Sequence, residues 1–329
     1  MKNFKLKSSL IKFTLALVIA VVPAQSIVAE DMDPVLVSQV SNGDVEAAKK
    51  LLLTAGINVE DEASVSNVTQ QILQLVLMSS ESVTIQSTIE TAVASMTRAV
   101  FELATEAKLS PEETTTAVEA TAQGAVTAVV KAPAVSEANL SAAVAASSKG
   151  ATSGAMLAAS AAQQDSTVST VSVAEAAKAA TEGSMVALSA LVEDDKPLSV
   201  VVDAVQAAAV GASQAAVATA VAVNADPATI VTAVAASVET GADSISDDNG
   251  INVVLNEAVS SGVQQGTLAG ANEAGITGEA ANDLAGEAQA AADDAASNDS
   301  DSGDSDVPDP VISDPEDDSE VEASPSTGA

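Results

Sequence analysis

The sequence predicts an all-α fold: an alanine-rich helical repeat, packed as a bundle or a stack of helix hairpins, with a disordered acidic C-terminal tail. Three observations carry this. Small-residue segments centred on Arg98, Gly124, Gly150, Gly183, Gly211 and Gly241 recur at spacings of 26, 26, 33, 28 and 30 residues. One helix of about 20 residues plus a short connection fills such a period. Helix-breaking residues (Pro133, Pro197, Asp226-Pro227) fall between the centres. Asp293 to Glu322 then holds 13 acids among Ser, Asn, Gly and Pro, a composition that buries no core and repels itself.

Residues 1–29 read as a secretory signal peptide. Lys2, Lys5, Lys7 and Lys12 give a positive start, and Phe13 to Val22 is a ten-residue apolar run. A bilayer span needs about 20 apolar residues, so cleavage after Ser26 or Ala29 is expected rather than an uncleaved anchor. With no cysteine, a lipoprotein is excluded. The expected destination, through the Sec pathway, is the periplasm or the extracellular medium.

Residues 30–110 form an N-terminal helical segment. One or two short helices are expected over 34–56. Within them Ser41 to Val59 (SNGDVEAAKKLLLTAGINV) resembles half of an ankyrin repeat: Gly43-Asp44 opens a helix, Leu51 to Leu53 packs, and Ala55-Gly56 turns. The resemblance covers 19 residues. The Thr-Pro-Leu-His signature is missing and no second copy follows, so the stretch is treated as a capped amphipathic helix. Two longer helices are expected over 63–80 and 82–108. In the second, Ile85, Ile89, Val93, Met96, Val100 and Leu103 mark a buried face.

Residues 111–292 form the repeat region. It opens at Ser110-Pro111-Glu112-Glu113, where Ser110 suits the N-cap, Pro111 the first helical position and Glu113 a capping box. A glycine in mid-helix costs about 1 kcal/mol against alanine, and close approach of a neighbouring backbone is the natural reason for it. Gly262, Gly266, Gly270, Ala274 and Gly278 recur at every fourth position and are expected on one face. Such a seam suits helix association in a membrane or tight packing in a soluble bundle. Gln264, Gln265, Asn272 and Glu273 favour the soluble reading. Val200 to Val223 carries one charge, Asp203, and reads as a buried central helix rather than a span, because Gln206 and Gln214 oppose insertion. The tail is expected over 293–329.

Composition restricts the chemistry. The chain contains no His, Cys, Trp or Tyr and three Phe. Histidine triads and Cys/His zinc sites are therefore impossible. No catalytic, cofactor-binding or metal-ligating residue is assigned. Two carboxylates can hydrolyse a glycoside, but such sites usually need aromatic platforms and a deep pocket, so an enzyme is not expected. Net charge is −34; losing four lysines and no acids with residues 1–29 makes it −38. This repels nucleic acid and anionic lipid.

Calcium is the one ligand class that suits acids. Yet Asp299 to Asp306 misplaces the glycine of an EF-hand loop, and Pro310 stands where the bidentate Glu belongs. Asp247-Asp248-Asn249-Gly250 has Ile245 where the first ligand should be, and reads as an Asn-Gly turn. Diffuse divalent-cation binding at the tail is expected instead. Thr105, Thr116 and Thr127 repeat at 11 residues like ice-binding rows, but Leu109-Ser110-Pro111 breaks the helix between the first two.

The expectation is an exported, non-enzymatic structural or interaction protein with an extended acidic surface. Its partner is an unidentified protein or a second copy. A membrane-active, pore-forming-like protein is the first alternative and a weak calcium-binding extracellular protein the second.

Overall fold

The computed structural model describes residues 32–79, 85–164, 171–245 and 249–300. Among them are twelve helices and no strand: α1 (Pro34–Ser41), α2 (Val45–Thr54), α3 (Glu62–Ser79), α4 (Ile85–Glu106), α5 (Pro111–Lys131), α6 (Glu137–Gln164), α7 (Val173–Val186), α8 (Ser189–Glu193), α9 (Leu198–Ala222), α10 (Pro227–Asp243), α11 (Asn249–Glu273) and α12 (Glu279–Ser300).

Local signals start many of these helices. Asp33, Asp44, Ser110, Ser172 and Asp226 are N-caps whose side chains accept from backbone N–H groups of the first turn. Pro follows three of them, at positions 34, 111 and 227, where its missing N–H costs nothing. At α5 the expected capping box is complete. Glu113 N donates to Ser110 Oγ at 3.2 Å, and Ser110 N donates to Glu113 Oε2 at 2.8 Å. A second box, Ser172 with Glu175, starts α7.

The long helices pack chiefly on the preceding helix of their own layer, α12 sharing its contacts about equally between α10 and α11. One layer holds α1, α3, α5, α7, α10 and α12; the other holds α2, α4, α6, α9 and α11. The short α8 bridges within the hairpin of α7 and α9. The fold is thus a stack of hairpins, one of the two arrangements the repeat allowed. Neighbours within a layer run parallel. Gly150 and Gly154 of α6 meet Glu90 and Ala94 of α4 in that order, and Gly262, Gly266 and Gly270 of α11 meet Gln206, Val210 and Gln214 of α9.

The mid-helix glycines are the contact points. A β-carbon on Gly124, Gly150, Gly154, Gly183, Gly211, Gly262, Gly266 or Gly270 would lie less than 3.0 Å from a backbone carbonyl oxygen of the facing helix. Helices joined this way sit backbone to backbone, with Cα–H groups against carbonyls. Alanine is the largest residue that many flanking positions admit. Bulkier buried side chains cluster toward the N terminus, where Leu51, Leu52, Ile72, Leu73, Leu77 and Met96 fill the first hairpins.

Several boundaries differ from expectation. α11 ends at Glu273, and Gly275 and Gly278 follow with φ of +78° and +69°. Ala274 and Gly278 therefore lie outside the glycine seam, because left-handed backbone terminates the helix first. Asn249-Gly250 begins α11 instead of forming a turn. The expected tail does not start at Asp293, since α12 runs through Ser300; Ala281, Ala285, Ala288 and Ala292, three or four residues apart, give it one buried face. Residues 301–329 of that tail and the export segment lie outside the described residues. α9 is the one described helix long and apolar enough to cross a membrane, and 67% of its most apolar window is buried inside the fold. It lies between α6 and α11, as a central helix should.

Gly183→Ala should lower stability by about 3 kcal/mol, because the facing backbone cannot yield to a new methyl. Gly286 on α12 has no neighbour within 4 Å of its missing β-carbon, so Gly286→Ala should gain about 1 kcal/mol of helix propensity. Thermal melts of both variants by far-UV circular dichroism check the opposite signs.

Candidate functional site

Because neighbours within a layer press backbone to backbone, each inner helix leaves a narrow stripe open to solvent. On α5 the stripe includes Glu112, Thr115, Glu119 and Gln123; on α7 it includes Glu175, Lys178 and Glu182. These two stripes line a cleft of about 420 Å³. A smaller cleft of about 280 Å³ opens beside it between α3 and α5, lined by Glu60, Glu62, Glu112 and Glu113. Together they make a carboxylate-rich face across three successive helices of one layer.

The carboxylates on this face are not equivalent. Glu113 and Glu175 close capping boxes, and the hydrogen bonds from Ser110 and Ser172 hold their pKa values below the usual carboxylate range. Glu119 goes the other way. Burial between the helices, reinforced by the charges of Glu182 and Glu62, pushes it up to about 7. The nearest cation in the cleft, Lys178, is 3.6 Å from Glu182 in an i, i+4 pair.

The opposite face carries a different polar cluster. Lys149 of α6 lies 3.3 Å from Glu90 of α4 and 3.1 Å from Glu273 at the end of α11. Gln214 of α9 donates to Glu273 Oε2 at 2.9 Å. One network therefore ties all four long helices of the second layer. Burial pulls the Lys149 ammonium down, but the hydrogen bond it donates to Glu273 and the charge of Glu90 outweigh it, so its pKa ends above the usual value.

A shared arrangement links these clusters to three of the eight contact glycines. At each of the three, the residue before the glycine interacts with the residue whose carbonyl that glycine touches. Gly150 faces Glu90, and Lys149 pairs with Glu90. Gly262 faces Gln206, and Gln206 Nε2 donates to Ser261 Oγ at 3.1 Å. Gly183 faces Glu119, and Glu182 interacts with Glu119. Sequence reasoning missed these pairs. The signal existed as residues flanking the glycine centres, but it reads only when every second helix is compared.

A third cleft, of about 440 Å³, lies between α10, α11 and α12. It is lined by Glu239, Glu257 and Asp293 with Asn, Gln and Ser side chains. Ser260 Oγ donates to Asp293 Oδ1 at 3.2 Å. Among the described residues no three His, Cys, Asp or Glu side chains converge to hold a metal ion. Of the calcium-loop fragments, residues 246–248 and 301–306 lie outside the described residues, and Asn249 and Asp299 belong to helices. The threonine row is dispersed: Thr105 is on α4, while Thr116 and Thr127 are on α5 in the other layer. Thr105 and Thr116 spend their hydroxyls on carbonyls of Phe101 and Glu112.

In comparisons with known proteins, no family model, curated protein or solved structure matches the chain.

Lys149→Met should cost about 1–2 kcal/mol, since it leaves two half-exposed carboxylates beside each other without their cation. Lys178→Met should cost only a few tenths of a kcal/mol, as its pair is an exposed i, i+4 contact. Urea unfolding of the two variants separates these outcomes.

Proposed function

We propose that the chain is an exported, non-enzymatic structural or interaction protein, and that it works through an extended acidic surface. The observation that carries this reading is the carboxylate face across α3, α5 and α7. Glu60, Glu62, Glu112, Glu113, Glu175 and Glu182 are spread over adjacent stripes there, with Lys178 the one cation lining either cleft. Hairpin stacks offer broad, preformed surfaces of this sort, and binding on them needs little rearrangement. A face of this charge suits a basic protein partner over a second copy. Export is supported by the Lys-rich start and short apolar run of residues 1–29.

The membrane-active reading draws on one observation, the apolar length of α9. Against it stand the burial of α9 between α6 and α11 and the use of the Gly262–Gly270 seam within the stack. Exposing either would require pulling apart backbone-to-backbone contacts of α9 with α6 and α11.

Dye release from anionic and neutral vesicles, measured from pH 4 to pH 8 on the chain from residue 30 onward, tests the proposal. No release is expected at any pH. Release with a gain in helicity would replace this reading with the membrane-active one.

A further inference from the structure

Among the three joints with this arrangement, the one between α5 and α7 differs in one respect: its partners carry the same charge. At the α4–α6 joint the residue before the glycine is Lys149, and it meets an acid, Glu90. At the α9–α11 joint it is Ser261, and it meets an amide, Gln206. At the α5–α7 joint it is Glu182, and it meets Glu119. Glu62 of α3 adds a third carboxylate from the other side.

Backbone contact leaves this cluster little room. Gly183 rests on the carbonyl of Glu119 itself, so the backbones that carry Glu119 and Glu182 are held together, and both side chains line the same cleft. The charged groups around Glu119 are few. Glu175, Lys178 and Glu182 face it from α7, Glu62 from α3 and Glu112 from its own helix. The carboxylates that raise Glu119 belong to α7 and α3, and α4, α6 and α8, which also pack on α5, place no charged side chain in the cleft. Among the described residues no basic side chain lies within ion-pair distance of it, and Lys178 is engaged with Glu182.

We infer that the α5–α7 joint is a proton-sensitive contact: the stack is tightest there when Glu119 holds a proton and shares it with its neighbours, and it loosens when the cluster ionises. A neutral Glu119 can donate a hydrogen bond, as Gln206 does at the equivalent joint. Ionised, it faces the charges of Glu182 and Glu62, while the cation lining the cleft, Lys178, is paired with Glu182.

The sign follows from linkage. Glu119 moves from an ordinary 4.5 to about 7 on folding, so the folded state holds the proton more tightly. Its contribution to stability is full below about pH 4.5, declines as pH rises, and is lost above about pH 7. Allowing for its exposed part, the folding equilibrium constant should fall on the order of tenfold or more between pH 5 and pH 8 from this group alone.

Thermal melts of the purified chain and of Glu119→Gln, Glu182→Lys and Glu287→Gln at pH 5, 6, 7 and 8 provide the test. Glu119→Gln should be nearly flat across this range where the unaltered chain declines. Glu182→Lys, which rebuilds the charge pairing of the Lys149–Glu90 joint, should be the more stable protein at pH 8. Glu287→Gln, on the exposed face of α12, should follow the unaltered chain and thereby account for general charge effects. If Glu119→Gln declines with the same slope as the unaltered chain, the inference is wrong. Should that variant fail to fold, carboxyl NMR titration of Glu119 in the unaltered chain decides: a midpoint near 7 supports the contact, and one near 4.5 overturns it.

Discussion

The contact of a glycine Cα with a carbonyl oxygen on the next helix of the same layer governs this structure. It recurs at Gly124, Gly150, Gly183, Gly211 and the Gly262–Gly270 seam. Once two backbones meet, few large side chains fit between them, and the alanine content follows from that. The near absence of aromatic rings follows too, since the three phenylalanines of the whole chain include only Phe101 among the described residues. Each buried alanine removes little apolar surface from water, so cohesion comes from many short-range contacts and dense packing rather than a few large anchors. The N-terminal hairpins are the exception, with leucines and isoleucines where glycine contacts are scarce.

The same constraint arranges the charges. Backbone-to-backbone packing leaves each inner helix a single open stripe, and nearly all the carboxylates must occupy those stripes or the connections. One layer offers a face of glutamates, while the other is stitched by Lys149 across four helices. Strong net negative charge is tolerable because successive helices stack along one direction. Like charges are spaced out along that direction instead of being gathered on a sphere.

Much of the architecture could be read from the residues. The glycine centres mark the contact points, and the Ser110–Glu113 box starts α5 where expected. What could not be read was which helix each glycine touches. Faces made of alanine are nearly interchangeable, so periodicity locates a contact without naming its partner. The alternation of layers places the partner on the preceding helix of the same layer, 56 to 66 residues away, which hides the Glu182–Glu119 and Lys149–Glu90 pairs from local periodicity. The end of α11 was misplaced for a local reason: the spacing of small residues continues past Glu273, but the backbone turns left-handed at Gly275.

The graded interior also gives the molecule a direction under load. Its first hairpins are held by Leu51, Leu52, Ile72 and Leu73, whereas α12 is held against α10 and α11 largely by Ala281, Ala285, Ala288 and Ala292. In a stack where each unit touches only its neighbours, tension applied between the two ends does not break the whole at once. It peels units from the weaker end, so the chain would lengthen in steps beginning with α12 while the leucine-rich hairpins hold. The order of yielding would thus follow the sizes of the buried side chains, alanine before leucine.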